Sequence, residues 1–241
     1  AEALRRVPGS AEALVIRISS PGGSAIASDK IWGAIMELKK RGIPVVASIG
    51  DMGASGAYYI ACAADAIFAE PYSIVGSIGI YGGKIDASGL MSKVGLKAET
   101  VKTHEHADAE TFTRPWTDAE KAALQQYMDE FYERFVKVVS GATGIARAKV
   151  DSSYGGGRVF IGEKAYKYGL VQGLGGLDAA LKEARKRANI DEGNDIELIP
   201  ILTGGSNIIR DPSASALIDF VLGAERVQFW ALDPLLWEGA E

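Results

Sequence analysis

Cysteine is almost missing from this chain. Cys62 is the single thiol in 241 residues, which rules out an internal disulfide and leaves that residue as a small apolar side chain within an apolar helix. Histidine is nearly as scarce, with only His104 and His106. Basic charge is not in excess: 26 Lys and Arg face 31 Asp and Glu, a net charge of −5. No basic run is long enough to follow a phosphate backbone, so nucleic acid is not an expected partner. No apolar run approaches the roughly 18 to 20 residues needed to span a bilayer. The opening "AEALRRVPGS" lacks the apolar centre of a signal peptide, and there is no internal repeat or low-complexity segment. The chain also starts without an initiator methionine and with no strand before "ALVIRISS". It is expected to continue a longer protein in which an anchor or a further domain precedes it.

What is present is ordinary globular material, 47% hydrophobic and 24% charged, enough for one large core plus a tail. "ALVIRISS" (13–20) reads as a buried strand, and "PGG" turns it into a helix with Ile31, Ile35 and Leu38 on one face. "IPVVASIG" (43–50), "AIFAE" (66–70) and "IVGSIGIYG" (74–82) read as further strands, with a small-residue helix after Ser55. A short helix is expected near 87–94 and a strand near 97–102. Alternating strands and helices predict an α/β fold with a mainly parallel sheet. "THEHADAETFTRPW" has no clear period and reads as a loop. Thr117 and Glu120 form a capping box for a long helix with Leu124, Met128, Phe131, Phe135 and Val138 on one stripe, and Gly141 as its expected stop. A turn, two short strands and a basic-ended helix to about 188 follow. Residues 1–190 are therefore expected to form the main domain and 191–241 an extension. That extension carries one strand, a helix near 213–223 and large apolar groups such as Phe229, Trp230, Leu236 and Trp237, which are expected to pack on the core or on a neighbouring subunit.

The stretch "GDMGASGAYYIACAAD" places Ser55 between glycine-rich turns at the head of a helix. It is not the G-x-S-x-G elbow of the α/β-hydrolases, since Ala57 stands at the last position. A serine attacks a carbonyl only if one group removes its proton and another receives the developing negative charge. The Gly56 amide, unpaired at a helix start, suits the second task. The "SPGG" turn offers another amide at Gly23, where no Cβ blocks a substrate. Alternatively, Ser55 is simply an N-cap and the glycines are tight turns.

The combination and order of "ALVIRISSPGGSAIASDKIWGAI", "PVVASIGDMGASGAYYIACAADAIFAEPYSIVGSIGI" and "GRVFIGEKAYKYGLVQGLGGLDAAL" resembles the signal peptide peptidase A family of serine proteases over roughly residues 13–188. The resemblance implies a ClpP/crotonase-like spiral of strand-strand-helix units. It also implies Ser55 as nucleophile, Gly23 and Gly56 as the oxyanion hole, Ser77 as the hydroxyl that orients the base, and a lysine as that base. It implies no metal and no ATP or other cofactor. The implied substrates are hydrophobic peptides such as remnant signal peptides. The implied setting is the outer face of the cytoplasmic membrane, reached through an anchor outside this chain, in a homo-oligomer or tandem repeat.

One part of the pattern is missing. Counting from Ser77, the family's lysine falls at Ala107, and there is no lysine between Lys102 and Lys121. The chain therefore looks like the carboxyl-terminal repeat of the long tandem members, with the lysine donated by a preceding repeat or a neighbouring subunit. Alternatively Lys102, five residues away, swings in, or the base is lost and the protein is a catalytically silent peptide-binding scaffold of the same fold. A crotonase-type acyl-CoA enzyme is the weakest alternative, because no acidic residue stands beside Gly23 or Gly56. His104, His106 and Asp108 would share one face if they lay on a strand, as a zinc site or a Ser-His-Asp arrangement requires; the competing expectation is a solvated polar loop. Lys39, Lys40 and Lys84 read as surface charges and Tyr58 and Tyr59 as core residues, one of which is a candidate to border the groove. "SYGGGR" reads as a flexible connection, since it lacks the lysine and the strand-to-helix setting of a phosphate loop.

Overall fold

Strand β1 (Ala13–Ser20) buries Ala13, Leu14, Val15, Ile16 and Ile18, so both of its faces are covered, as in the central strand of an α/β sheet. This comes from a computed structural model that describes residues 2–191, 193–201 and 226–233. The chain forms two units, Ala1–Gly79 with Phe135–Glu241, and Ile80–Arg134.

In the first unit, β1 leads through the Pro21–Gly23 turn into α1 (Ala25–Lys40), whose N-cap Ser24 accepts a hydrogen bond from the Ala27 amide at 3.3 Å. Strand β2 (Val45–Ala54) follows, then α2 (Gly56–Ala61), β3 (Ala66–Ala69) and β4 (Ile74–Gly76). After the second unit come α5 (Arg147–Lys149), β5 (Val159–Ile161), α6 (Gly162–Lys167), β6 (Gly173–Leu174), α7 (Leu177–Arg187), β7 (Glu197–Ile201) and β8 (Arg226–Asp233). The sheet order is β5-β4-β2-β1-β8-β7, with β3 beside β2 and β6 beside β3. The central pairings β1–β2, β2–β3, β2–β4 and β3–β6 are parallel, while β1–β8, β4–β5 and β7–β8 are antiparallel.

Strand β2 positions the site. Its first half pairs with β3 from Val46↔Ala66 to Ile49↔Ala69, and its last three residues pair with β4, ending at Ala54↔Gly76. On its other side the register with β1 shifts between Ile18 and Ser20. One strand thus hands over from one neighbour to another as the sheet turns, a local change of direction that a bulge permits. Below it, Ala13, Val15, Val46 and Ala66 pack with Ala180 and Ala184 of α7. Small residues on the helix side let it approach the sheet closely.

The second unit contains α3 (Ser88–Lys93) and the first part of α4 (Asp118–Thr143). The capping box is present: the Thr117 amide donates to Glu120 Oε2 at 2.8 Å and the Glu120 amide to Thr117 Oγ1 at 3.2 Å. Gly82 lies against Leu124 and Met128. Further along α4, Phe135 is fully buried in the first unit, its ring edge-on to Tyr59 at 5.1 Å.

Several expectations need correction. Residues 97–102 form no strand; all of them are exposed, and no strand among the described residues takes their backbone groups. The strand expected over 74–82 ends at Gly76, because Gly76 (φ 106°) and Ser77 (φ 53°) leave the extended region. Helix α4 runs through Gly141 to Thr143 and stops at Gly144, whose φ of 73° suits glycine after a helix end. The helix expected near 213–223, and Leu236 and Trp237, lie outside the described residues.

Candidate active site

Ser55 joins the end of β2 to the start of α2 with φ 52° and ψ −126°, in a region L-residues seldom adopt. Its amide donates to Gly76 O at 2.8 Å, tying the turn to β4. Although Ser55 occupies the N-cap position, its hydroxyl makes no capping hydrogen bond. The N-cap alternative therefore gives no account of why a serine stands there. A backbone forced into a rare conformation points to a functional demand on that position.

The glycine turn lies directly against this serine. A Cβ on Gly22 (φ 108°) would come within 2.7 Å of Ser55 Cβ and 2.8 Å of the Gly56 nitrogen. A Cβ on Gly56 would collide with Ser28 Oγ and lie 3.4 Å from the Gly23 nitrogen. Both glycines are thus required by close approach of backbone to backbone. The turn is braced by Ser20, whose Oγ accepts from the Gly22 amide at 3.1 Å. Gly23, Ser55 and Gly56 are brought together in one place.

Ser77 joins them through strand register. Ala54 and Gly76 are aligned partners in adjacent parallel strands, and each is followed by a serine with positive φ, Ser55 and Ser77. Neighbouring strands lie about 4.8 Å apart, so the two serines leave the sheet side by side. The Ser77 amide donates to Arg158 O at 2.7 Å and Ile78 O accepts from the Gly157 amide at 2.9 Å. The "SYGGGR" run is therefore hydrogen-bonded to the Ser77 segment rather than a loose connection, with Gly156 and Gly157 at φ 66° and 76°. Nothing in its composition signalled that role.

Ala107 lies in the Ile80–Arg134 unit, its amide donating to His104 O at 3.2 Å. The surrounding loop is organised by charge. Lys102 Nζ donates to Asp108 Oδ1 at 2.8 Å and to Glu105 O at 2.7 Å. Arg114 bridges Asp108 (2.7 Å) and Glu120 (2.8 Å). Hydrogen bonds from Arg114, then from Lys102, hold the Asp108 carboxyl well below the usual carboxylate range. Those from Arg114, then the Thr117 amide, do the same for Glu120. Lys102 is thus engaged as a donor to a carboxylate, which does not suit a free base. His104–Glu110 form turns, so strand alternation does not apply to the histidines. His104 Nδ1 meets Thr103 Oγ1 and His106 Nδ1 meets Glu120 Oε1, each at 3.2 Å. Among the described residues no group of three or more His, Cys, Asp or Glu is placed to hold a metal ion.

Two lysines read as surface charges are structural instead. Lys39 pairs with Asp65 at 2.9 Å and donates to Ala63 O at 3.0 Å. Lys84 donates to Ala109 O and lies 5.3 Å from the centre of the Trp116 ring. Lys40 pairs with Glu37 on the surface. Tyr58 and Tyr59 are buried, their hydroxyls donating to Leu170 O at 2.7 Å and Asp29 Oδ1 at 2.6 Å. Burial pushes the Tyr58 hydroxyl and the Cys62 thiol up, which fits core residues rather than reactive ones.

Comparison with known proteins identifies the family of the chain. Residues 37–191 match peptidase family S49, a span that includes Ser55, Gly56, Ser77 and Ala107, while Gly23 precedes it. A putative protease of Methanocaldococcus jannaschii is 36% identical over 188 residues, 78% of this chain and 60% of that protein. The chloroplastic serine protease SPPA of Arabidopsis thaliana is 33% identical over 234 residues, 95% of this chain and 34% of that protein. A putative protease of Synechocystis is 35% identical over 206 residues, 82% of this chain and 74% of that protein. The chain thus spans 60% of the first of these relatives and about a third of the second. The mixed α/β architecture with its turning, mostly parallel sheet is the ClpP-like fold of the matched family. By its sequence match and its architecture, this chain belongs to peptidase family S49.

Proposed function

We propose that this chain supplies the nucleophile and oxyanion hole of a serine peptidase working through a Ser/Lys dyad, with the lysine donated by a preceding repeat or a neighbouring subunit. The observation that carries the reading is the uncapped Ser55 in its strained turn, pressed against Gly22 and Gly56. The neutral lysine takes the Ser55 Oγ proton as Oγ attacks the scissile carbonyl carbon. The carbonyl oxygen becomes negative and is held by the Gly23 and Gly56 N–H groups. Collapse of the tetrahedral species passes the proton from the lysine to the leaving amine and leaves an acyl-serine. Water, deprotonated by the same lysine, then releases the acid and restores Ser55. Ser77, beside Ser55, orients the lysine amine. That amine must be neutral near pH 7, so its pKa has to fall from about 10.4, which burial at an apolar interface provides.

Two observations favour a donated base. Lys102 is tied to Asp108, and the Ile80–Arg134 unit exposes Ile85, Leu90, Val94, Leu96, Val101 and Phe112, an apolar surface suited to another subunit or repeat. The substrates are hydrophobic peptides such as remnant signal peptides. The working location is the outer face of the cytoplasmic membrane; among the described residues no helix is long and apolar enough to cross a membrane, so association runs through another segment. The test is fluorophosphonate labelling followed by peptide mass spectrometry, on this chain alone and on the complete protein. Ser55 is expected to label only in the complete protein. Labelling of the isolated chain would mean a local base, and no labelling of either form would favour a silent peptide-binding scaffold.

A further inference from the structure

We infer that Ser20 and Ser28 are positioning residues that fix the two oxyanion amides, Gly23 and Gly56, relative to each other. This rests on the peptidase reading of the site. Among the described residues the buried polar or charged side chains are Ser20, Ser28, Ser48, Ser73 and Glu120. Ser48 accepts from Arg17, Ser73 donates to Gly50 O and Glu120 belongs to the charged loop. The other two flank the glycine turn, one before it and one after.

A buried hydroxyl is unfavourable unless bonded, and both of these spend their bonds on the turn. Ser20 Oγ accepts from the Gly22 amide at 3.1 Å and lies 3.4 Å from Gly22 O. It closes a small ring that fixes the direction in which the next amide, Gly23, is presented. Ser28, in the first turn of α1, donates to Ser24 O at 3.0 Å. Its other side faces Gly56: the vacant side-chain position of Gly56 is filled by Ser28 Oγ, with Ser28 Cβ and the Gly23 nitrogen each 3.4 Å from it. Ser28 is thus the spacer between α1 and the start of α2, and Ser20 the brace of the facing turn. Neither touches a substrate; each acts through an amide. Geometry matters here because one oxyanion donor is worth about 10²–10³-fold in kcat, and a misplacement of ~1 Å costs about 10²-fold.

The experiment uses the complete protein, comparing steady-state cleavage of an apolar fluorogenic peptide, the rate of Ser55 fluorophosphonate labelling, and thermal unfolding. Ser20→Ala is expected to lower kcat about tenfold with KM changed less than about twofold, and Ser28→Thr to lower kcat about 100-fold, as its extra methyl displaces Gly56. Gly56→Ala should cost about 100-fold or more, and adding Ser28→Ala to it should recover about tenfold by removing the hydroxyl the new methyl strikes. A merely structural role would lower the unfolding temperature without separating kcat from KM and without this suppression. The inference is overturned if Ser20→Ala and Ser28→Thr keep the wild-type kcat, or if the double variant is no faster than Gly56→Ala alone. Failure of the wild-type complete protein to label at Ser55 is a different result, and it overturns the peptidase reading itself.

Discussion

The two units of this chain are held by different physics. Every buried apolar side chain among the described residues belongs to the unit formed by 1–79 and 135–241, whereas in Ile80–Arg134 the single buried side chain is Glu120, a carboxylate. The first unit draws its stability from apolar burial on both faces of β1 and β2, at about 25 cal/mol per Å². The second is ordered by a capping box and an Arg114-centred ion cluster, interactions of a kind that contribute modestly when water reaches them. Ser55, Gly23 and Gly56, the proposed nucleophile and oxyanion hole, lie in the first unit, where packing is dense. Ala107 and its loop lie in the other unit, whose described residues bury no apolar side chain.

That contrast can be attacked from several sides. Ser55→Ala in the complete protein should abolish peptide cleavage, a loss of about 10⁴-fold or more, whereas Lys102→Ala should leave Ser55 labelling unchanged; a loss with Lys102→Ala would return the base to this chain. For stability, Ile16→Ala, at a residue 1% exposed, should cost about 3 kcal/mol and lower Tm by about 6–12 °C. Leu90→Ser, at a residue 65% exposed, should stay within about 0.5 kcal/mol. Equal effects of the two in thermal unfolding would erase the distinction between the units.

Acid should act selectively on the second unit. Asp108 and Glu120 have lowered carboxyl pKa values in the folded protein, chiefly through Arg114. Their contribution is therefore complete above the ordinary carboxylate pKa of about 4 and is lost as pH falls below it toward the lowered folded values. The Arg114 Nε–H resonance should keep its bonded shift well below pH 4 and broaden only as the lowered carboxyl values are approached, before near-ultraviolet circular dichroism reports any loss of the aromatic core. The Arg114→Ala variant should show the same loosening already at neutral pH. If the loop and the core melt together, the cluster is not an independent source of order.

The first unit was largely legible in the sequence. Doubly buried strands such as 13–20 announce themselves by continuous apolar runs, and helices 25–40 and 177–187 by their period. The glycines around Ser55 were legible because close backbone contact, as at Gly22 and Gly56, leaves a mark in residue type. What was illegible depended on partners far along the chain. Lys39 with Asp65, Lys84 over Trp116, and Arg158 O on Ser77 N follow no local period and no turn rule. The strand expected at 97–102 failed for the converse reason: only Thr100 and Val101 are β-forming, and no strand among the described residues pairs with the segment. The long helix was read correctly at its start, where Thr117 and Glu120 cap each other. Its end was misplaced because a glycine inside a helix and one just after it look alike in sequence.

The pairing of β1 with β8 carries a consequence for biosynthesis. It aligns Ala13 with Leu232 and Ser19 with Arg226, so β1 leaves the ribosome and waits for a partner some 200 residues downstream. At about 5–20 residues per second this is a delay of roughly 10–40 s. During that interval the outer edge of β1, apolar on both faces, is an open template for any other extended chain. A crowded nascent protein with this topology has reason to be met by a chaperone, and slowing translation between β7 and β8 should raise its tendency to aggregate before any property of the finished protein changes.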